Sequence, residues 1–539
     1  MYISIKYSKT IYSKRIDSLK INKSSAFFQV LTLTLGSMTL QILLFVYRII
    51  ITRFSGAGGM GIYQLAAPYY SFLSSVSLSG ITMAVTRLIV EKSAADDKVA
   101  GLTVIHKSLH LFLSLLTLSA TATFIFSDFI SGTILGDIRT KASMLLFIPC
   151  LFFTGFENIY KSFFYGVKNV KPNIISEVTE LSIRIFAIFI LLYINKTSLT
   201  PEKTAFLIVF GMIISEIFSF SFLGIYYKKY NKSKNINSDK FYTGKKAKKI
   251  LKEITRIAVP ISASSLLMTV ISSVNTILIP KRLIASGMSG TQAIETLGML
   301  MGMAFPLVTI PVIFINPMIN VMFPRITAAK QLGDTKDMNK KIAKVLQTCA
   351  FMTSPAMGVV AAIGKPLCVL MYKNETAGDY IFPLVISSVF MYLQIVTGSI
   401  LYALDQQKKL AFYNVIDGII HIIFTYVFVA MPQFNIYGYM LGNFASSFVG
   451  TVLNTVTVVK YSKIKINFTQ WIILPTAAGI YTGFMTHFVY KFCVSKISVV
   501  PVIALIISVS FSIMIYLAIL ELKGISIAKY AKKIIHVQT

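Results

Sequence analysis

The sequence predicts an all-α polytopic membrane protein of about fourteen transmembrane helices: two six-helix lobes in parallel pseudo-repeat, plus two C-terminal helices. Three observations predict it. The chain is 55% hydrophobic and 14% charged, with a mean hydropathy of +0.71, whereas soluble domains carry about 25% charged residues. Fourteen apolar runs long enough to span a bilayer follow one another. Positive charge falls between these runs in strict alternation.

The elements follow in order. Residues 1–26 carry six lysines and arginines but no short apolar core followed by a small-residue cleavage site. They read as a basic cytoplasmic arm, not a signal peptide. A spanning helix needs about 20 largely apolar residues. Such runs lie near 27–51, 63–86, 108–128, 143–165, 174–194 and 205–226, which together form an N-terminal lobe over 27–227. A second set near 257–279, 293–321, 345–370, 380–403, 411–430 and 436–459 forms a C-terminal lobe over 257–460. Runs near 469–490 and 498–520 supply the last two helices within 461–522, and 523–539 is a basic cytoplasmic tail.

Between the lobes lies the basic segment 228–256, with Lys228, Lys229, Lys232, Lys234 and Lys240 in its first half and Lys245 to Arg256 in its second. Asp239 and Glu253 are its only acids. Lys/Arg-rich loops stay on the cytoplasmic side, so this segment reads as a cytoplasmic linker. With both termini and every second loop placed inside, the inner segments hold 39 lysines and arginines and the outer loops 11. A miscounted span in the middle would scramble that alternation.

The lobes repeat one another. Tyr165 to Pro172 resembles Tyr402 to Lys409: a span ends in Tyr and small residues, and a short basic loop follows. At the same offset Glu180 meets Asp417 and Arg184 meets His421. A weaker match sets Arg53 to Gly58 over Arg282 to Gly287. The offset is six spans, an even number, so the lobes are parallel repeats about an axis along the membrane normal.

Several function classes are excluded. The formal net charge of +31 does not point to nucleic acid, because the positive residues sit in short loops between apolar runs. Cys150, Cys349, Cys368 and Cys493 lack paired spacing, and the five histidines are scattered, so neither a disulfide framework nor a metal site is expected. Gly56 to Gly61 precedes a membrane span and reads as a tight turn, not a phosphate loop. No nucleotide, nucleophile or metal motif is present, so neither an enzyme nor a cofactor is expected.

Charges inside spans are expensive and mark cavities or pairs. The first span carries Gln41, Arg48 and, at its outer end, Arg53, with no acid among them. Arg53 suits the headgroup level. Arg48, about a turn deeper, must reach water, an acid on another span or an anionic ligand, and its planar fork suits phosphate. Glu180 with Arg184, and Asp417 with His421, stand at i and i+4 and either pair within their helices or line a cavity between the lobes. Glu157 and Lys161 make a similar pair, read as structural. Glu216 stands alone in the sixth span and Asn275 deep in the seventh, and both are candidate cavity residues. Arg256, at the start of the seventh span, is a further candidate for an anion.

Four stretches carry a family resemblance: Tyr47 to Tyr70 (YRIIITRFSGAGGMGIYQLAAPYY), Asn275 to Pro311 with PKRLIASG and GMLMGMAFPLVTIP, Val321 to Ala329 (VMFPRITAA), and Gly398 to Asn414. The chain resembles the multidrug/oligosaccharidyl-lipid/polysaccharide flippase superfamily, and within it the polysaccharide-biosynthesis membrane proteins of the stage V sporulation protein B type. The resemblance implies two six-helix bundles that rock between inward- and outward-open states. It implies an undecaprenyl-linked glycan as cargo, such as a peptidoglycan or spore-cortex precursor, and a site in the cell membrane. The lipid II flippases of this fold have further arginines in the first and eighth spans, where this sequence has Gln41 and Met301. The anion site expected here is therefore less cationic than theirs.

Two alternatives accompany this expectation. A drug/cation antiporter of the same fold would need an acidic cation site, and residues 27–54 contain no Asp or Glu; Glu180 or Asp417 would have to serve. A non-transporting scaffold for cell-wall synthesis enzymes would use the basic linker and termini to hold partners or anionic membrane lipid, worth about 1 kcal/mol per basic residue near the surface.

Overall fold

The computed structural model describes residues 23–234, 241–464, 467 and 469–522. The expected basic arm and tail fall almost wholly outside the described residues. Within them the structure is helical, because a bilayer offers backbone N–H and C=O groups no water and helices satisfy them internally.

Fourteen passes are traced. Lys23–Ser77 is helical except at Gly56, whose φ of 65° breaks it into the first span and the start of the second. The second continues through Ser79–Ala94. The third to seventh are Lys98–Ile125, Lys141–Gly166, Lys171–Ile194, Pro201–Ser233 and Gly244–Ala285. The eighth is assembled from Gly290–Leu297, a π-helical turn Gly298–Ala304, Phe305–Val308 and Val312–Gln331. Thr335–Tyr372, Ile381–Ala403, Gln407–Phe428 and Tyr437–Ser462 complete the second lobe. Leu474–Ser495 and Pro501–Leu522 are the last two.

Ten helices in the described residues are long and apolar enough to cross a membrane on composition alone. The other four passes have identifiable reasons for falling short. The second runs on from the first through the Gly56 break, the fifth carries Glu177, Glu180 and Arg184, and the eighth is in pieces. The twelfth buries Asn443, Ser446, Ser447, Thr451 and Asn454, of which Asn443, Thr451 and Asn454 hydrogen-bond to the tenth span where a soluble core would use leucine.

The repeat extends to individual hydrogen bonds at an offset of 237 positions. After the fourth span Lys168 is left-handed (φ 59°), and after the tenth so is Asp405 (φ 57°). The amide of Lys168 bonds Tyr165 O and that of Asn169 bonds Phe164 O; Asp405 to Tyr402 and Gln406 to Leu401 are their counterparts. These bonds close the last helical turn, as left-handed C-terminal caps do. The turn from second to third span repeats in the same way. Asp96 (φ 52°) matches Gly333 (φ 71°), and Asp97 and Asp334 each cap the next helix, accepting from Ala100 N and Asp337 N at 2.9 Å.

The basic segment 228–256 is only briefly a loop. Lys228, Lys229 and Lys232 extend the sixth-span helix to Ser233, and Lys245 to Arg256 open the seventh from Gly244. Lysine is a good helix former, and the chain's return is pinned where Tyr242 donates to Asp97 at 3.2 Å and its amide to Thr103 Oγ1 at 2.9 Å. Residues 235–240 lie outside the described residues.

The lobes meet along two lines. The seventh span follows the second: Ser75 and Thr269 hydroxyls are 2.7 Å apart, Gly80 N donates to Ser262 Oγ at 3.1 Å, and Lys92 pairs with Glu253 at 3.2 Å. Around the Gly56 break the contact is backbone on backbone. Thr52 donates to Gly302 O at 3.1 Å, and a Cβ added at Gly61 or Gly298 would run into the carbonyls of Ile294 or Ala57. Small residues permit this approach. Gly298→Val is therefore expected to force the lobes apart at this end. A Cβ at Gly58 lies 3.8 Å from Glu295 Cγ, so a Gly58→Cys/Glu295→Cys pair reports the contact. Adding Gly298→Val should lower its cross-linking several-fold, and unchanged cross-linking would contradict the contact.

Candidate functional site

The first span presents its arginines outward from the N-terminal lobe. Arg48 and Arg53 are exposed and Gln41 is half-buried. Among the described residues no carboxylate pairs with Arg48. Its charge bears on the hydroxyls of Tyr47 and Tyr63 in its own lobe and of Tyr372 at the end of the ninth span. Arg48 is thus within electrostatic reach of the ninth span, across the boundary between the lobes.

The other charges gather inside the N-terminal lobe. Glu157 and Lys161 share one face of the fourth span, Glu177, Glu180 and Arg184 one face of the fifth, and Ser215 and Glu216 look in from the sixth. Arg184 is clasped by Glu180 one turn away, by Glu216 at 2.9 Å and by Ser215 Oγ at 3.0 Å. Lys161 sits 2.5 Å from Glu157 and 3.6 Å from both Glu177 and Glu180. Glu157 and Glu216 are only 1% and 4% exposed. Four carboxylates thus surround two cations. Glu157, Glu180 and Glu216 each bring an oxygen within 4.8 Å of the other two, and Glu216 Oε2 has no partner. Three carboxylates so arranged have the oxygen chemistry to hold a small cation or shared protons, with Lys161 and Arg184 meeting part of the charge.

This corrects two sequence-level expectations. Glu216 is not alone: helix packing carries it to Arg184. Arg184 is not free for an anionic cargo alone, because its Nε and Nη2 donors are given to a hydroxyl and two carboxylates. Glu157 and Lys161 belong to the same network. The signal was present in the repeated i, i+4 acid–base spacing of adjacent spans, which the one-helix reading kept apart.

The C-terminal lobe is the less charged counterpart, with Asp417 as the carboxylate at the matched positions. Asp417 and His421 make no recorded bond to each other. Asp417 is met by the side chains of Gln394 and Ser446, and His421 packs its ring 4.6 Å from that of Tyr439, in space left by Gly442. Gln394 is the repeat position of Glu157, and Asp417 that of Glu180. Asn275 is buried and accepts from Thr425 at 2.9 Å, joining the seventh span to the eleventh. Arg256 is exposed on the first turns of the seventh span, apart from the fifth-span network.

The polysaccharide biosynthesis protein family matches residues 29–330. Stage V sporulation protein B of Bacillus subtilis is 23% identical over 466 residues, covering 86% of this chain and 89% of the relative. A structure of lipid II flippase MurJ in an inward closed conformation superposes with a TM-score of 0.66 at 15% identity, covering 90% of this chain and 96% of the other. An inward-facing multidrug resistance MATE family transporter of the MOP superfamily gives 0.64 at 15% identity, covering 80% and 96%. With this match over more than half of its length, the chain belongs to the polysaccharide biosynthesis protein family, and it shares the fold of these transporters.

Proposed function

We propose that this membrane transporter is a flippase for an undecaprenyl-linked glycan, a peptidoglycan or spore-cortex precursor, which it moves across the cytoplasmic membrane by alternating access. The observation that carries the reading is Arg48: exposed, without a carboxylate partner among the described residues, and within electrostatic reach of the opposite lobe. A charge at membrane depth costs roughly 2.5–3.5 kcal/mol at the bilayer centre, a cost met when it faces a wet cleft and an anionic headgroup. The pyrophosphate of a lipid-linked sugar is such a headgroup. The prenyl tail stays in lipid while the polar head crosses about 30 Å of hydrocarbon. Arg53 and Arg256 would attract the anion at the two ends of its path, with both termini on the cytoplasmic side. The similarity to stage V sporulation protein B and to a lipid II flippase supports this cargo class.

The acid excess of Glu157, Glu180 and Glu216 favours one addition: coupling of lobe movement to a proton or monovalent cation held there. The same feature favours a second reading, a drug/cation antiporter. The acid absent from the first span would then be supplied by the fourth, fifth and sixth.

Arg48→Ala is expected to reach wild-type protein levels and lose complementation of a strain lacking this protein and its paralogues. Arg48→Lys should recover part of the activity, since a point charge survives without the bidentate fork. Full complementation by the alanine variant would remove Arg48 from the cargo path. Broad drug sensitisation of the deletion strain with normal wall chemistry would favour the antiporter.

Arg184→Ala leaves the surrounding carboxylates with only Lys161, and breaking a buried pair in this way costs about 3–5 kcal/mol. The purified variant should melt well below wild type. Glu180→Gln, which keeps Arg184 bound to Glu216, should melt near wild type but transport with weakened dependence on the ion gradient. An Arg184→Ala protein of unchanged melting temperature would show that the cluster is not an integral part of the lobe.

A further inference from the structure

The two lobes differ at one matched place. In the C-terminal lobe, Lys330 at the end of the eighth span reaches across to the tenth-to-eleventh turn, giving its ammonium to Leu404 O and to the Asp405 carboxylate, both at 2.7 Å. The turns on both sides repeat in the N-terminal lobe bond for bond, but the position of Lys330 is Ser93 and that of Asp405 is Lys168. The N-terminal lobe therefore lacks the lysine–carboxylate pair that closes the corresponding place in the other lobe. A cavity of about 320 Å³ lies there, bordered by Ser93 and by Val167, the counterpart of Leu404.

The cavity is built for a polar guest. Asn231, only 1% exposed, borders it with no hydrogen-bond partner for its amide oxygen. A buried carbonyl left so is costly unless a guest supplies the donor. Asp96, Asp97, Lys98 and Lys234 all border it, so the rim carries both signs and is formally neutral. Leu102 and Phe163 form an apolar wall. The site lies at the helix ends, beside Tyr226, Tyr227 and Tyr230 on the last turns of the sixth span. Tyrosine gathers at headgroup depth.

We propose that this cavity binds the phosphoethanolamine headgroup of a membrane aminophospholipid. Its ammonium takes the place that Lys330 fills in the other lobe, donating toward Asp96 and the Asn231 carbonyl. Its phosphate faces Lys98 and Lys234, and the glycerol backbone lies along Leu102 and Phe163. The two charges of the headgroup match the two signs at the rim. A free amine would leave the lysines and the apolar wall without a partner. The site is separate from the Arg48 cleft and from the buried carboxylates, so bound lipid would brace the inner turns of one lobe without entering the cargo path.

The test uses the full-length protein in nanodiscs of equimolar phosphatidylethanolamine, phosphatidylcholine and phosphatidylglycerol with identical chains. Retained lipid is counted by native mass spectrometry after delipidation. Wild type should keep one phosphatidylethanolamine in preference to phosphatidylcholine by roughly tenfold, because the choline headgroup has no N–H to donate and a hydrogen bond to a charged group is worth about that ratio. Ser93→Lys with Lys168→Asp transplants the residues of the C-terminal lobe and should abolish the preference at an unchanged melting temperature. Should that pair fail to fold, Asn231→Leu, of nearly the same volume, must show the same loss. Equal retention of the ethanolamine and choline lipids by wild type overturns the proposal. So does preferential retention of the glycerol lipid, or a preference undiminished in a folded variant.

Discussion

Arg184 holds the N-terminal lobe together. Within a bilayer a guanidinium that cannot reach water must find carboxylates. Here it finds one a turn away on its own helix and one on the sixth span, while Lys161 ties the fourth span to the fifth through Glu177 and Glu180. The penalty for separating any of these helices is an uncompensated charge in a low-dielectric interior. The lobe is therefore expected to move as one body, leaving the seams between lobes as the places to open. Those seams are of another kind: small residues and hydroxyls along the second and seventh spans, and bare backbone contact around Gly56 and Gly298. Apart from the Lys92–Glu253 pair at the inner end of the seam, such contacts release without stranding a charge.

The two lobes show how one helical plan diverges in chemistry while its turns stay fixed. The hydrogen bonds after the second and fourth spans recur after the eighth and tenth. Between those fixed points Glu157 becomes Gln394 and Lys161 becomes Gly398. One lobe carries a charged interior and the other a neutral one with a single carboxylate, Asp417. A transporter that couples cargo to an ion needs such asymmetry, since an ion must prefer one state of the cycle to shift its population.

Much of this was legible in the sequence, for physical reasons. Apolar runs and lysine alternation reveal spans because the bilayer penalises every exposed polar group, so the fourteen passes fall where the runs lie. The match of Tyr165 to Tyr402 revealed the repeat because left-handed turns constrain their residues locally. The partners of charges were less legible. Spacing on one helix suggested Glu180 with Arg184, and the bond forms, whereas the same spacing suggested Asp417 with His421, which turn instead to Gln394, Ser446 and Tyr439. Which neighbouring helix supplies a partner is decided by packing, and for the same reason Glu216 read as solitary. The lysines of 228–256 read as loop because charge marks the side of the membrane but not where a helix stops.

The central claim is that the cleft marked by Arg48 moves a lipid-linked anion between leaflets. The most direct measurement reconstitutes the purified chain in vesicles holding a fluorescent undecaprenyl-pyrophosphoryl sugar, with a membrane-impermeant quencher outside to report which leaflet the headgroup occupies. The account predicts protein-dependent exchange of the headgroup between leaflets, with an ordinary phospholipid carrying the same fluorophore left in place. Exchange no faster than in protein-free vesicles, with the ion gradient imposed in either direction, would contradict it.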